Sequence, residues 1–330
     1  MDIAIDKMLA SKFRNDTIIN VIKTLFSNPF FQKEDIQDRK NKIKKYQDQL
    51  KKLLMIPKIE QRTTEWYNAR QTLITASDFA QALGDGKFGT SKQVIQKKCG
   101  FEKEGPINNS IPALKWGTMY EDVACTIYSQ RNNVKIHEFG LIRHPTISHF
   151  GASPDGVSEF GIMVEIKCPF VRKIDGIVPL QYFYQIQGQL DVCGLSECDY
   201  FECEFDNHDS TDATFDNIKN EKGAIIEKKE DDNYSYIYSP VSRDWNIGTI
   251  NEWIQKNNVE ESEMVHIYSL RKCNTVRVLK DDSFLSEKLE LLKEVWQKIQ
   301  VYRDDEDLYN KEIKTQKKVD KFKLTGCTFK

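Results

Sequence analysis

Apolar side chains recur with two periods along this chain. Ile36, Ile43, Tyr46, Leu50, Leu53 and Leu54 follow a helical spacing that stops before Pro57, which predicts a helical N-terminal extension over residues 1–57 ahead of a larger body over 58–330. After the charged stretch that begins "QRTTEWYNAR", the segment "TASDFAQALG" has a Ser/Asp start, an apolar face at Phe79 and Leu83 and a closing glycine. It predicts a short helix with Ser77 as its N-cap, and "SKQVIQKKCG" predicts another stopped by glycine. Further on, "ALKWGTMYEDVACTIYSQ" reads as a helix and "VKIHEFGLIRH" as strand. "PLQYFYQIQGQLDVCG" reads as a helix ending at Gly194, and "CDYFECEF" alternates as a strand. Such an order predicts an α/β fold with a mixed sheet flanked by helices. "DNHDSTDATFDN" is expected as an exposed loop and "GAIIEKKEDDNYSYIYS" as a hairpin turning at Asp231 to Asn233. The remainder, including "FLSEKLELLKEVWQKIQVY", is expected to be helical. No internal repeat is visible.

Composition narrows the classes. The 330 residues are 30% charged with a net charge of −2, so the chain as a whole is no basic nucleic-acid coat, and contact with DNA has to come from local patches. The lysine runs "RKNKIKKYQDQLKK" and "KTQKKVDKFK" read first as solvated helix faces. None of the eight cysteines forms a Cys-x-x-Cys pair, and Cys193, Cys198 and Cys203 read as buried thiols rather than a cluster. With no signal peptide and no apolar run long enough to span a bilayer, a soluble intracellular protein with no membrane partner is expected.

The stretch "GASPDGVSEFGIMVEIKCP" concentrates the chemistry. Strand-like "IMVEIK" and "GASPDGV" flank a turn at Ser158 to Gly161, and a hairpin folding about Phe160 brings Asp155 opposite Glu165. Alternation points Glu165 and Lys167 to one side while Ile166 enters the core. Facing carboxylates repel unless a proton or cation lies between them, and oxygen-only ligands suit Mg²⁺ or Mn²⁺. A lysine beside such an ion can orient or deprotonate a water, or stabilise charge developing on a phosphate. The same residues also suit a plain surface hairpin, with Asp-Gly as turn chemistry and a solvated Glu–Lys pair. Pro154, which lacks an amide proton, favours an edge or a strand disrupted near a site.

"SPDG" followed by "EIKCP" resembles the PD-(D/E)xK nuclease signature. Three further segments, "EWYNARQTLITASD", "WGTMYEDVA" and "YFYQIQGQLDV", stand in the order of the YqaJ-like viral recombinases, the family of the phage lambda exonuclease. The resemblance covers roughly residues 60–205. It implies a restriction-endonuclease-like core within 58–330 and a metal-dependent deoxyribonuclease with Mg²⁺ as cofactor, Mn²⁺ being an alternative.

By that resemblance Asp155, Glu165 and the backbone carbonyl of Ile166 hold the metal, and Glu121 approaches it, often through water. Lys167 positions or activates the attacking water, and Gln185 lies over the site with Tyr182 beside it. Arg70, Ser77 and Ser153 match the groups that hold a terminal 5′-phosphate, with Arg172 or Lys173 as a further basic residue. Arginine suits this task because its planar fork binds two phosphate oxygens. A further acidic ligand of the lambda enzyme has no counterpart in "IRHPTISHF", which puts a second metal in doubt. His144 and His149 lie there but read as strand-surface residues.

The implied activity is 5′ to 3′ resection of double-stranded DNA ends in recombination or repair. The implied partner is a single-strand annealing protein, with a homo-trimer by analogy, in a phage or in the host cytoplasm or nucleus of a large DNA virus. A structure-specific or RecB-like endonuclease is a second reading of the same residues. A catalytically silent DNA-binding scaffold is a third.

Overall fold

A computed structural model describes residues 33–87, 89–101, 111–230, 233–260 and 262–314. The first 32 residues of the expected extension, the hairpin turn residues Asp231 and Asp232, Cys327 and nearly all of the C-terminal lysine run lie outside the described residues.

The chain begins with α1 (Lys33–Leu54). Ile43, Tyr46, Leu50 and Leu53 are buried on it, whereas Leu54, expected on the same stripe, is 48% exposed at its last position. Within the stretch read only as charged, α2 (Thr64–Gln71) forms, capped by the Thr63 hydroxyl accepting from the Trp66 amide at 3.2 Å. Strand β1 (Ile74–Thr75) and a 3₁₀ turn (Ala76–Asp78) lead into α3 (Phe79–Leu83), closed by Gly84. Ser77 therefore lies inside the 3₁₀ turn and caps no helix, contrary to expectation. Next come α4 (Ser91–Cys99), with a Thr90–Gln93 capping box, and α5 (Pro112–Asn132).

The segment read as one strand region splits into β2 (Ile136–His137) and β3 (Ile142–Arg143), which join different sheets. Then follow β4 (Phe150–Ala152), β5 (Gly156–Ser158), β6 (Met163–Lys167), α6 (Leu180–Cys193) and β7 (Glu197–His208). The expected exposed loop is largely ordered. Its first residues extend β7, and Phe215 in the 3₁₀ turn Ala213–Asn217 is fully buried beside Ala224, Ile250 and Ile267. The hairpin β8 (Lys222–Glu230) and β9 (Asn233–Tyr238) pairs as expected.

The C-terminal part departs from the all-helical expectation. Between α7 (Ile247–Lys256) and α8 (Phe284–Asp304) runs the sixteen-residue strand β10 (Met264–Leu279). It pairs with β7 along its length and with β8 at its start, with a register shift between Leu270 and Lys272. Two strand edges outside the segment supply its partners, so local pattern underdetermines it.

The larger sheet has the order β2-β5-β6-β7-β10-β8-β9 and is antiparallel except for β6 and β7, which α6 connects as a parallel pair. A smaller sheet, β1-β4-β3, lies beside it. The expected mixed sheet flanked by helices is therefore what forms. On one face, Met163, Cys198 and Tyr200 pack with Ile186 and Leu190 of α6 and Leu292 and Ile299 of α8. On the other, Val164, Ile166, Phe201 and Cys203 pack with Tyr120, Val123 and Ile127 of α5 and with Ile43 and Tyr46 of α1. Fully buried aliphatic side chains such as Ile186 and Leu190 contribute on the order of 2 kcal/mol each. As expected, Cys193, Cys198 and Cys203 are free, buried thiols.

The β5–β6 turn carries a sharp steric demand. Gly161 has φ +73°, and a Cβ there would lie 2.6 Å from the Tyr46 carbonyl oxygen. Gly161→Ala should therefore destabilise the protein by about 2 kcal/mol or more, read as a lowered urea midpoint. An unchanged midpoint would show that α1 and the turn can separate freely.

Candidate active site

The β5–β6 register pairs Gly156 with Val164 and Val157 with Met163, so its continuation sets Asp155 opposite Glu165. Asp155 Oδ2 accepts from the Ile166 amide at 2.7 Å. Glu165 is fully buried on the sheet face toward α6. Its Oε1 accepts from Lys167 Nζ and, at 2.6 Å, from Gln185 Nε2, while Oε2 accepts from Gln189 Nε2 at 2.8 Å. The two glutamines are one turn apart on α6, which is why one helix face can clamp both oxygens. The Lys167 ammonium lies over the Tyr182 ring, 5.1 Å from its centroid.

Charge is crowded here. Burial, then the Asp155 carboxylate, push Glu165 up to about 7 against the opposing pull of Lys167 and Gln189. The same two causes push Glu121 up to about 8, opposed by Arg62 and Lys167. Burial pulls Lys167 down, but Glu165 and Asp155 outweigh it and hold the ammonium well above its ordinary range.

Two cavities open beside this cluster. One, of about 180 Å³, is lined by Arg70, Ser77, Ser153, Glu121 and Gln185 together with Arg62, Trp66 and Gln189. Arg70 Nη2 donates to Ser77 Oγ at 3.2 Å and its guanidinium stacks on Trp66 at 4.2 Å, while Trp66 Nε1 donates to Ser153 Oγ at 3.1 Å. The other, of about 230 Å³, is lined by Asp155, Glu121 and Ile166 with Asp122, Glu138 and Arg62. Arg62 Nη2 reaches Glu121 Oε2 at 2.9 Å, so this pair forms part of both walls.

Three of the five phosphate-binding candidates thus share a cavity, and two do not line it. Arg172 is tied to buried Glu202 and reaches Tyr200 Oη at 3.5 Å, and Lys173 is exposed on the loop before α6. His144 and His149 are not strand-surface residues. His144 pairs with Asp191 at 2.9 Å, its side chain only 7% exposed, and His149 stacks on Trp296. Sequence reading missed Trp66, Arg62 and Gln189. The helical spacing of Trp66 from Arg70 and of Gln189 from Gln185 was the available signal for two of them; Arg62 had none.

Beneath the first cavity lies a buried ion pair. Lys98, fully buried on α4, reaches Asp78 Oδ2 at 2.9 Å and donates to the Arg70 carbonyl at 2.9 Å. Thr75 Oγ1 donates to Asp78 Oδ2 at 2.7 Å and lies 2.9 Å from Ser77 Oγ. Burial pulls the Lys98 ammonium down to about 8 although Asp78 opposes it. Burial alone would raise Asp78, but Lys98, Lys97 and Arg70 outweigh it and hold the carboxyl well below its usual range.

The donor set suits a hard divalent cation. Carboxylate oxygens of Asp155 and Glu165 and the Ile166 carbonyl are hard ligands, and the Asp155 charge that adds to burial in raising Glu165 and Glu121 is one that a cation would offset. Among the described residues no three His, Cys, Asp or Glu side chains come together as a group that could hold a metal ion. Such an ion would keep several waters, as Mg²⁺ prefers.

Residues 65–196 match the YqaJ-like viral recombinase domain, the family to which the motifs point. An uncharacterized protein of Acanthamoeba polyphaga mimivirus is 30% identical across 80% of this chain and 57% of its own length. A protein of African swine fever virus is 28% identical across 40% of this chain and 46% of its own length. The chain thus spans about half the length of these relatives. Among solved structures, an alkaline exonuclease from Laribacter hongkongensis is similar at 22% identity and a TM-score of 0.47, over 77% of this chain and 100% of its own. A phage-related exonuclease from Haemophilus somnus matches at 13% identity and a TM-score of 0.40, over 72% of this chain and 96% of its own. Among the described residues no helix is long and apolar enough to cross a membrane.

The crowded carboxyls make stability depend on pH. Glu121 titrates above its ordinary 4.5, so between about 4.5 and about 8 the folded form holds more protons than the unfolded one, and stability falls as pH rises through that window. Without added metal, wild type should therefore lose melting temperature relative to Glu121→Gln between about pH 5 and about pH 8, and Mg²⁺ should reduce the loss. Parallel pH profiles for the two proteins would contradict this electrostatic account.

Proposed function

We propose that this chain, with its YqaJ-like viral recombinase domain, is a divalent-cation-dependent deoxyribonuclease that resects duplex DNA ends 5′ to 3′. The observation that carries the reading is the adjacency of two chemistries. Arg70, Ser77 and Ser153 line a cavity with the size and donors for a terminal phosphate, next to the Asp155, Glu165 and Lys167 cluster.

A divalent cation held by Asp155, Glu165 and the Ile166 carbonyl, with Glu121 nearby, would supply Lewis acidity to the scissile phosphate and acidify the attacking water. The remaining work falls to the chain's own groups. Lys167, held as an ammonium by Glu165 and Asp155, is a donor rather than a base: it orients the water and offsets charge building on phosphate oxygens. Gln185 and Gln189 fix the Glu165 carboxylate, and Tyr182 braces Lys167 from the side. Arg70, pinned by its stack on Trp66, holds the end so that the first linkage meets the cluster. Digestion from the 5′ end leaves a 3′ single strand, the substrate of an annealing protein in recombination or repair.

The test uses linear duplexes labelled on one strand, with a 5′-phosphate or 5′-hydroxyl, in Mg²⁺ or EDTA. Wild type should degrade the phosphorylated strand from its 5′ end only with Mg²⁺. Lys167→Ala should lose about 10²–10³-fold in rate while still binding DNA. Arg70→Ala should lose about tenfold or more, and only on phosphorylated ends. Internal cuts indifferent to the end would favour an endonuclease, and binding without cleavage a scaffold.

A further inference from the structure

The wall between the two cavities is itself a charge pair. Arg62 lines both, and among the described residues the hydrogen-bond partner of its guanidinium is Glu121. Glu121, Asp122 and Asp155 all attract it, so a divalent cation entering beside Glu121 and Asp155 would compete with it for the same charges.

Anchors fix the base of this residue, and its tip is held at Glu121. Thr63 Oγ1 donates to the Glu60 carbonyl at 2.8 Å and Gln61 Nε2 to the Phe139 carbonyl at 2.8 Å, which clamps the turn on either side. Within it Arg62 adopts φ +65°, a conformation that costs a side-chain-bearing residue free energy. The side chain is 38% exposed, so it can exchange one carboxylate for another anion without first being drawn out of the protein interior. Arg70, Ser77 and Ser153 line the same 180 Å³ cavity, so an anion seated among them would share it with two guanidinium groups.

We propose that Arg62 couples the cavities: without a divalent cation it is held by Glu121, and when the cation takes its place it turns to the terminal phosphate monoester of a DNA 5′ end. The coupling rests on the nuclease reading above and adds a consequence to it. Cation and 5′-phosphate each tighten the other's binding by the same factor, because binding linkage is reciprocal. Arg62 is a positioning residue for both ligands, and the enzyme engages the metal fully only when a phosphorylated end is present.

Mn²⁺ binding to the full chain, followed by loss of the free-ion EPR signal, tests this. It is measured alone, with a 5′-phosphorylated duplex and with a 5′-hydroxyl duplex, both with phosphorothioate end linkages to suppress cleavage. In wild type the 5′-phosphate should tighten Mn²⁺ about tenfold over the 5′-hydroxyl. Arg62→Asn, a residue that accepts left-handed backbone, should bind Mn²⁺ more tightly than wild type without DNA, and the two duplexes should then differ by less than about twofold. A variant that keeps the tenfold difference, or gains no Mn²⁺ affinity, overturns the coupling.

If Arg62→Asn does not fold, Arg62→Lys carries the test. It retains the charge but not the fork, so it should bind Mn²⁺ alone like wild type with a smaller duplex effect, and an undiminished effect overturns the coupling. A wild type that binds no Mn²⁺ defeats the nuclease reading and the coupling together. One that binds Mn²⁺ and prefers phosphorylated ends, with the variants equally coupled, defeats the coupling alone.

Discussion

Burial of a carboxylate in the middle of a sheet is the constraint on which the rest of this molecule depends. Glu165 has no exposed surface, and an unpaired charge there would cost several kcal/mol. Three donors offset that cost, and each comes with a structural demand. Lys167 must follow two residues on along the same strand, and α6 must bring Gln185 and Gln189 against it. The helix must therefore lie close to the sheet and to the 3₁₀ turn that carries Ser77. Gly188 permits that approach, since a Cβ there would stand 3.0 Å from Phe150 Cζ and 3.2 Å from Ala76 Cβ. The helix that satisfies the buried carboxylate is thus also the one that sets the wall of the phosphate-sized cavity.

A second buried charge pair lies beneath that cavity. Lys98 and Asp78 fasten α4 to the turn after β1, and the same ammonium holds the Arg70 carbonyl. Arg303 of α8 donates to the carbonyls of Lys98 and Gln71, so the C-terminal helix continues the network. Buried pairs of this kind contribute little net stability compared with apolar packing, but breaking one partner is costly. Their value here is geometric: they fix where an arginine begins, which decides where its fork can reach.

Much of this was legible in the sequence. Counting back from the turn at Ser158–Gly161 set Asp155 opposite Glu165, because the side-chain period of a strand leaves no freedom once the turn is fixed. The glycine-stopped helices were equally plain, since each stop is a left-handed residue that only a few side chains tolerate. β10 was not legible, because its partners β7 and β8 lie far away in sequence and its two faces meet different neighbours. Arg172 or Lys173 was expected to add a further basic residue to the phosphate beside Arg70. A buried acid on β7, invisible in a linear reading, claims Arg172, while the loop before α6 leaves Lys173 in solvent. Charge type was readable from the sequence, but charge assignment needed the packing.

The arrangement of charge across the two cavities has a physical logic of its own. From one side to the other the walls run cationic at Arg70, paired at Arg62 and Glu121, then anionic at Asp155. A phosphate monoester carries more charge than an internal diester, so it gains more from a second arginine than an internal linkage would. A cation gains in turn when the arginine that shields its carboxylates is drawn away. Preference for a chain end therefore does not require the cavity to exclude internal DNA by shape. On the coupling proposed above it arises because a terminal monoester, with more negative charge than a diester, competes better with Glu121 for Arg62.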